Sequence, residues 1–320
     1  MFFKRFLAFM LALLFLPAFP VLAQEEQLSI IATVFPAFDF ARVIAGEHAQ
    51  ISLLLPPGSE SHSYEPTPQD IIAIQNADLF LYVGGESDHW IEEVMNSMGD
   101  SAPRTFRLMD CVSLLHEEHT DSMEHNHTHE HDDCDHEHEH EHKEAELDEH
   151  VWTSPRNAIE IVSSLCSVLI ELAPSHAAEF ALSSKHYIAE LQQLDDEFEQ
   201  IVSTAKHDLI IFGDRFPLRY FADAYHLRYD AAFPGCSEDS EPSVRTVISL
   251  IDTVREEQIP VIFYIEFSSR RTADILAEET GAKPLLFHSC HNVSAAEIEN
   301  GVSYLSLMRQ NAEALKEALN

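Results

Sequence analysis

From Ser175 to Ala205 the chain contains neither glycine nor proline, and apolar side chains recur at Phe180, Leu182, Tyr187, Leu191, Leu194 and Phe198. As a single helix of about 30 residues this stretch would run about 45 Å at 1.5 Å per residue. A rod of that length outspans one small body, so it must connect two. The flanking sequence supplies them. Before it come "LSIIATV" (28–34), "ISLLLP" (51–56) and "DLFLYVG" (78–84), β-branched apolar runs separated by helical patterns such as "FPAFDFARVIAG" and "PTPQDIIAIQNA". After it the alternation restarts with "DLIIFG" (208–213), "LRYDAAF" (227–233), "PVIFYIEF" (260–267) and "PLLFH" (284–288), with helices expected around 215–225, 242–257, 269–280 and 301–319. Strands alternating with helices form parallel sheets covered on both faces. The predicted fold is therefore α/β: two α/β lobes with mainly parallel sheets, bridged by one long rigid helix. Residues 24–175 make the first lobe, 176–205 the linking helix and 206–320 the second lobe. A cleft between two such lobes is the usual seat of a small ligand.

The first 23 residues read as a cleaved signal peptide. Lys4 and Arg5 precede an apolar run from about Phe6 to Leu16, too short for the roughly 20 residues of a membrane span, and Ala23 before Gln24-Glu25-Glu26 suits signal peptidase. An exported, extracytoplasmic protein is expected, periplasmic or equivalent. The formal net charge of −36 excludes nucleic acid as a partner, because phosphate binding needs basic patches this chain lacks. Cations suit it better. The five cysteines, Cys111, Cys134, Cys166, Cys236 and Cys290, are too few and too scattered for a disulfide scaffold.

Ten of the chain's 20 histidines fall between His116 and Glu149, interspersed with aspartate and glutamate and almost no apolar residue. Such a segment cannot bury enough surface to offset its ordering entropy, so a loop inserted in the first lobe is expected at 116–149. The pattern H-E-x-x-H occurs twice, beginning at His136 and at His138. That motif serves zinc proteases only on a buried helix with a rigid face, and this tract has no apolar face to pack. The expectation is an accessory collector of transition metal; imidazole suits zinc, copper and nickel.

A single tight site needs a few ligands on rigid elements. Three histidines outside the tract qualify: His62 in the proline-stiffened loop "LPPGSESHSYEPTPQD", His150 in "DEHVWTSP" where folded sequence resumes, and His288 in "PLLFHSCHN" at a strand end, with Cys290 and His291 beside it. Loops at the carboxyl ends of parallel strands line the cleft of an open α/β sheet. His48, His89, His176, His186, His207 and His226 fall on helix faces or turns without a companion ligand, and the sequence assigns them no role.

Together "ATVFPAFDFARVIAGE", "LPPGSESHSYEPTPQD", "ADLFLYVGG", "DEHVWTSPRNA" and "YLSLMRQNAEALKEAL" resemble the metal-binding substrate-binding proteins of ABC transporters, in particular the zinc-uptake branch, over nearly all of the mature chain. The resemblance implies Zn²⁺ held between the lobes and delivered to a membrane ABC permease by a monomer that is not an enzyme. It places His62 and His150 at the family's first and second ligands, and His288 at a fourth position usually held by aspartate. The family's third ligand, a histidine, falls on Gly213, which has no side chain to offer; Asp214, His291 or a water would have to substitute. It also puts Cys236 and Cys290 in loops near the cleft, where a disulfide is favoured over free thiols or a thiolate ligand. Storage or chaperoning of metal by the histidine-rich loop is the alternative function. Manganese is the rival metal, disfavoured because its sites prefer carboxylate and water.

Overall fold

The structure is a computed structural model describing residues 27–59, 64–118, 146–235 and 241–320. The signal segment, His62, most of the histidine-rich tract and Cys236 lie outside the described residues. The first lobe carries strands β1 (Leu28–Ala32), β2 (Ala49–Leu53), β3 (Leu79–Tyr82) and β4 (Arg104–Arg107), all parallel in the order β2-β1-β3-β4. The second lobe repeats that order, β6-β5-β7-β8, with β5 (Leu209–Phe216), β6 (Arg228–Pro234), β7 (Val261–Tyr264) and β8 (Lys283–Leu286). Parallel neighbours require crossovers, and helices supply them. In the first lobe these are α1 (Phe35–Ala45), α2 (Pro68–Gln75) and α3 (His89–Met98). Proline opens α1, and in α2 Thr67 and Asp70 form a reciprocal capping box.

After α4 (Pro155–Leu172) the linking helix α5 runs from Ala177 to Ser203, 27 residues or about 40 Å. Its buried positions are Phe180, Ser184, Tyr187, Leu191, Leu194, Phe198 and Ile201. Steps of four and three alternate along that stripe, the average period of 3.5 that keeps one face against a neighbouring helix. Leu182 is off this stripe and 55% exposed, so it is a surface residue, and Ser184 takes the buried place instead.

In the second lobe the helices are α6 (Arg219–Tyr225), α7 (Val244–Glu256), α8 (Arg271–Thr280) and the short α9 (Ala295–Glu299). The C-terminal helix α10 (Tyr304–Ala318) lies against α5 and is bolted to the first lobe through a fully buried carboxylate. Asp39 on α1 accepts the Tyr304 N–H at 2.9 Å and pairs with Arg42. The main apolar cluster accordingly runs unbroken from Ile30 and Phe40 through Tyr187 and Leu191 to Phe212 and Phe287. A core shared by both lobes resists their separation.

Four further hydrogen bonds stitch the lobes at the cleft floor. Trp152 Nε1 donates to Ser289 O at 2.9 Å, Phe35 N–H to His291 O at 3.1 Å, and Gly58 N–H to Val293 O at 2.9 Å; Asn292 Nδ2 donates to Pro56 O at 2.8 Å. The cleft is a fixed seam. The histidine-rich tract is inserted where its ends meet: His116 pairs with Leu147 in an antiparallel bridge, and Glu117 N–H donates to Glu146 O at 2.8 Å.

Candidate metal centre between the lobes

Three consecutive buried polar residues, Asp148, Glu149 and His150, lead into the short 3₁₀ turn Val151–Thr153. Their backbone is held from both lobes: Asp148 N–H donates to Leu115 O at 2.9 Å, and the Tyr220 hydroxyl of the second lobe donates to Asp148 O at 2.8 Å. Glu149 reaches back to the loop after β3, where its carboxylate accepts the Ser87 N–H at 3.1 Å and the Ser87 hydroxyl. Gly85 leaves room for it, since a Cβ there would lie 2.2 Å from Glu149 Oε2.

Asp148 Oδ1 accepts both the His150 backbone N–H at 2.8 Å and the ring Nδ1–H at 3.1 Å. The bond to Nδ1 fixes the tautomer with the proton on that nitrogen and the lone pair on Nε2, the arrangement of metal-ligating histidines backed by a carboxylate. Burial works against the imidazolium, but Asp148 in contact, with Glu149 and Glu117 beyond it, holds the His150 pKa above its ordinary value.

The second lobe contributes the turn His288-Ser289-Cys290-His291 after β8. Asn311 on α10 grips His288 from both sides, accepting its N–H at 2.7 Å and donating to its carbonyl at 2.8 Å. Cys290 sits at φ +63°, the left-handed region that costs a non-glycine residue about 1–2 kcal/mol, and this reversal brings the His291 ring back toward the first lobe. His291 meets His150 edge-on, ring centroids 5.5 Å apart, and packs on Trp152 at 4.9 Å. His288 is oriented differently: its Nδ1 accepts the Cys290 N–H at 2.9 Å and lies 3.4 Å from Glu266 Oε1. Both Glu266 oxygens are engaged by Ser289, through its N–H at 2.8 Å and its hydroxyl at 2.6 Å.

A cavity of about 30 Å³ between the lobes is walled by Ser59, His150, Arg215, Glu266, His291 and Asn292, among others. That is room for about one water-sized or ion-sized guest. A larger cavity of about 550 Å³ opens on the second lobe around Asp223, Arg228 and Thr253, but His226 is the only histidine on its wall among the described residues. Chemistry, not size, marks the smaller one.

Of the three histidines read from the sequence, His150 is in this cavity, His288 stands behind it at 4% exposure, and His62 lies outside the described residues. The sequence offered His291 only as a substitute; here it is the second-lobe ring nearest His150. Asp214, the other substitute, does not line the cavity. Its carboxylate accepts the Arg215 and Ile265 N–H groups at 2.9 and 3.3 Å, and burial raises its pKa. At Gly213 a Cβ would come 2.5 Å from Ala273 Cα on α8 (Arg271–Thr280), so close helix packing has replaced a ligand there. Cys236, the partner expected for a tether, lies outside the described residues; Cys290 itself is a free thiol, fully buried in the apolar core, and burial raises its pKa well above the ordinary value. The left-handed turn that aims His291 at the cleft turns the cysteine side chain away from it.

Two stitched α/β lobes, a helical bridge and a histidine-lined cavity between them define a substrate-binding protein of the cleft type, built for a ligand as small as a single ion. Comparison with known proteins carries this further. The family model described as "Zinc-uptake complex component A periplasmic" (ZnuA) matches residues 30–318, and the chain belongs to that family. It is 33% identical over 301 residues to the high-affinity zinc uptake system protein ZnuA of Bacillus subtilis, covering 93% of this chain and 89% of that protein. It is 28% identical to the zinc-binding lipoprotein AdcA of Streptococcus pneumoniae, of whose length the match spans 56%. Among solved structures, the metal-dependent lipoprotein YcdH of Bacillus subtilis superposes with a TM-score of 0.75 at 29% identity, covering 92% of this chain and 99% of that one. The Zn(II)-bound ZnuA-like domain of Streptococcus pneumoniae AdcA gives 0.74 at 26% identity with the same coverage.

Proposed function

We propose that this protein captures Zn²⁺ outside the cytoplasm, after export on a cleaved signal peptide, and delivers it as a monomer to an ABC permease. The observation that carries the reading is His150, its Nδ1–H on Asp148 and its ring beside His291 at the interlobe cavity. In this reading zinc is held by His62 and His150 from the first lobe and by His291 and His288 from the second. For His62 the support is local: Ser59 is on the cavity wall, its carbonyl accepts from Asn292 Nδ2 at 2.9 Å, and three residues can reach about 10 Å. For His288 to ligate through Nε2, Nδ1 must give up the Cys290 N–H and donate instead to Glu266, already 3.4 Å away. Nitrogen donors favour zinc over manganese.

Binding rather than catalysis is the reading because Glu266, the carboxylate on the cavity wall, is occupied by Ser289 and serves to orient, not to take a proton from water. Capture and handover also fit the seam between the lobes, which leaves release to a local shift of ligands when the permease docks. The histidine-rich tract remains an accessory collector in this account.

Titration of the mature protein with Zn²⁺, with His62, His150, His291 and His288 each changed to alanine, tests the assignment. The first three substitutions should each weaken the tight site strongly, and His288→Ala less. Deleting residues 120–143 should remove weak extra binding and leave the tight site; if the tight site goes with the tract, the storage alternative takes its place.

A further inference from the structure

We propose a second metal site, remote from the cleft, formed by His48, His176 and Glu179. His48 closes the short turn Gly46–His48 just before β2, while His176 and Glu179 lie at the start of the linking helix. One ligating atom from each of the three lies within 4.8 Å of the others. His48 Nε2 and Glu179 Oε2 are in direct contact, and His176 Nδ1 lies 3.8 Å from the same oxygen. The two imidazoles stack with centroids 3.8 Å apart, and both rest on Phe180, which is fully buried.

The arrangement is that of a half-built site with two packed nitrogen donors and a more mobile oxygen. The histidine side chains are 21% and 12% exposed and packed on Phe180, whereas Glu179 is 63% exposed and can rotate. Tetrahedral zinc with bonds of about 2.0–2.1 Å sets its ligands roughly 3.3 Å apart. Closure from 4.8 Å therefore asks a shift of about 1.5 Å, supplied by the glutamate's side-chain rotations together with a splaying of the two stacked rings, whose planes must converge for both nitrogens to face one ion. A divalent ion would take the place of the direct contact between His48 Nε2 and Glu179 Oε2. Two imidazoles and one carboxylate, with water completing the set, suit zinc or another borderline ion and not calcium or magnesium, which take oxygen ligands.

This site cannot be part of the cleft. His48 precedes β2 and the cleft residues Pro56 to Ser59 follow it, so the five residues of the strand alone separate them by about 16 Å. An ion here would pin the start of the linking helix to the first lobe. The inference rests on these three side chains and holds whatever ligands the cleft uses.

Crystals of the full mature chain grown with millimolar zinc, with anomalous data recorded on either side of the zinc edge, test it. A peak bonded to His48, His176 and Glu179 is expected besides the one in the cleft. In Glu179→Gln, a surface change that leaves the core intact, that peak should fade while the cleft peak persists, and zinc affinity for this site should drop on the order of 10-fold or more. In His48→Ala/His176→Ala it should vanish. Absence of a peak in the parent protein, or a peak indifferent to Glu179→Gln, overturns the proposal.

Discussion

The turn Asp148–His150 and the turn His288–His291 face each other across one cavity, and they hold their histidines in opposite electronic states. His150 and His288 are equally hidden, at 0% and 4% exposure. Yet Nδ1 of His150 donates to a carboxylate, while Nδ1 of His288 accepts a backbone N–H. In the neutral ring the first leaves a lone pair on Nε2 and the second puts a proton there. Burial alone does not make a histidine a ligand; the partner of the other nitrogen decides. The first lobe thus offers a ready donor, and the second offers His288 only after its partner changes.

The largest effect should come from forcing the second lobe to supply the ligand its backbone excludes. Gly213→His would drive a Cβ to within 2.5 Å of Ala273 Cα, a backbone atom of α8. Neither helix nor strand can yield cheaply there, because β5 is paired on both sides at Ile211 and Phe212 just before it and three Ala273 atoms crowd the position within 2.5–2.9 Å. A stability loss of about 3 kcal/mol or more is expected, at or beyond the upper end of ordinary overpacking, read as a lowered chemical-denaturation midpoint. Normal stability would mean that α8 moves easily and that the missing third ligand has another cause.

Next in size is His150→Ala against His288→Ala. Loss of the preset donor should cost more zinc affinity than loss of the misoriented one, and more than the roughly 10–100-fold typical of outer partners. Equal losses in isothermal titration would show that His288 turns freely toward Glu266. Asp148→Asn should fall below His150→Ala, at about 10-fold, because the imidazole remains but its tautomer is no longer enforced.

The pH dependence separates the two turns more finely. Since Asp148 and its acidic neighbours raise the His150 pKa from 6.5, a proton competes with zinc from a higher pH than at an ordinary histidine. Affinity should decline as pH falls through that raised value. Asp148→Asn removes the main raising influence and leaves burial, so the midpoint of acid release should move down even though affinity at neutral pH is weaker. In the metal-free protein the sign reverses: the His150–Asp148 pair stabilises the fold fully below about pH 6.5 and that contribution is lost as pH rises through the folded value. An unchanged midpoint in Asp148→Asn would remove Asp148 as the controlling group.

How far the sequence carried depends on where each interaction lives. The lobes and the bridge were legible because buried parallel strands are written as apolar runs and the helix as a long unbroken period. Strand β4 was not, since "RTFR" at a sheet edge buries only Phe106. His150 was legible from its local frame, and even its tautomer is foreshadowed by aspartate two residues earlier in "DEH". The His291 orientation was not, because it follows from a positive φ at Cys290 that no propensity announces. His48 and His176 looked ordinary for a different reason: nothing in linear order says that a turn before β2 will stack on the start of α5.

The smallest predicted effect is none at all, and it bears on the same second-lobe turn. A bridge between Cys236 and Cys290 would close a loop of 54 residues (290 − 236), worth about 4 kcal/mol in the chain-entropy account. At roughly 2–4 °C per kcal/mol for a protein of this size, reduction would lower Tm by about 8–16 °C. The fully buried, free Cys290 thiol points into the apolar core, so thermal unfolding with and without a thiol reductant should coincide. A drop of several degrees on reduction that Cys290→Ser abolishes would mean that Cys290 leaves the core for a partner, and the left-handed turn that presents His291 would have to unwind with it. In that case the second lobe would no longer hold a ligand facing His150, and the asymmetry between the two turns would have a redox origin.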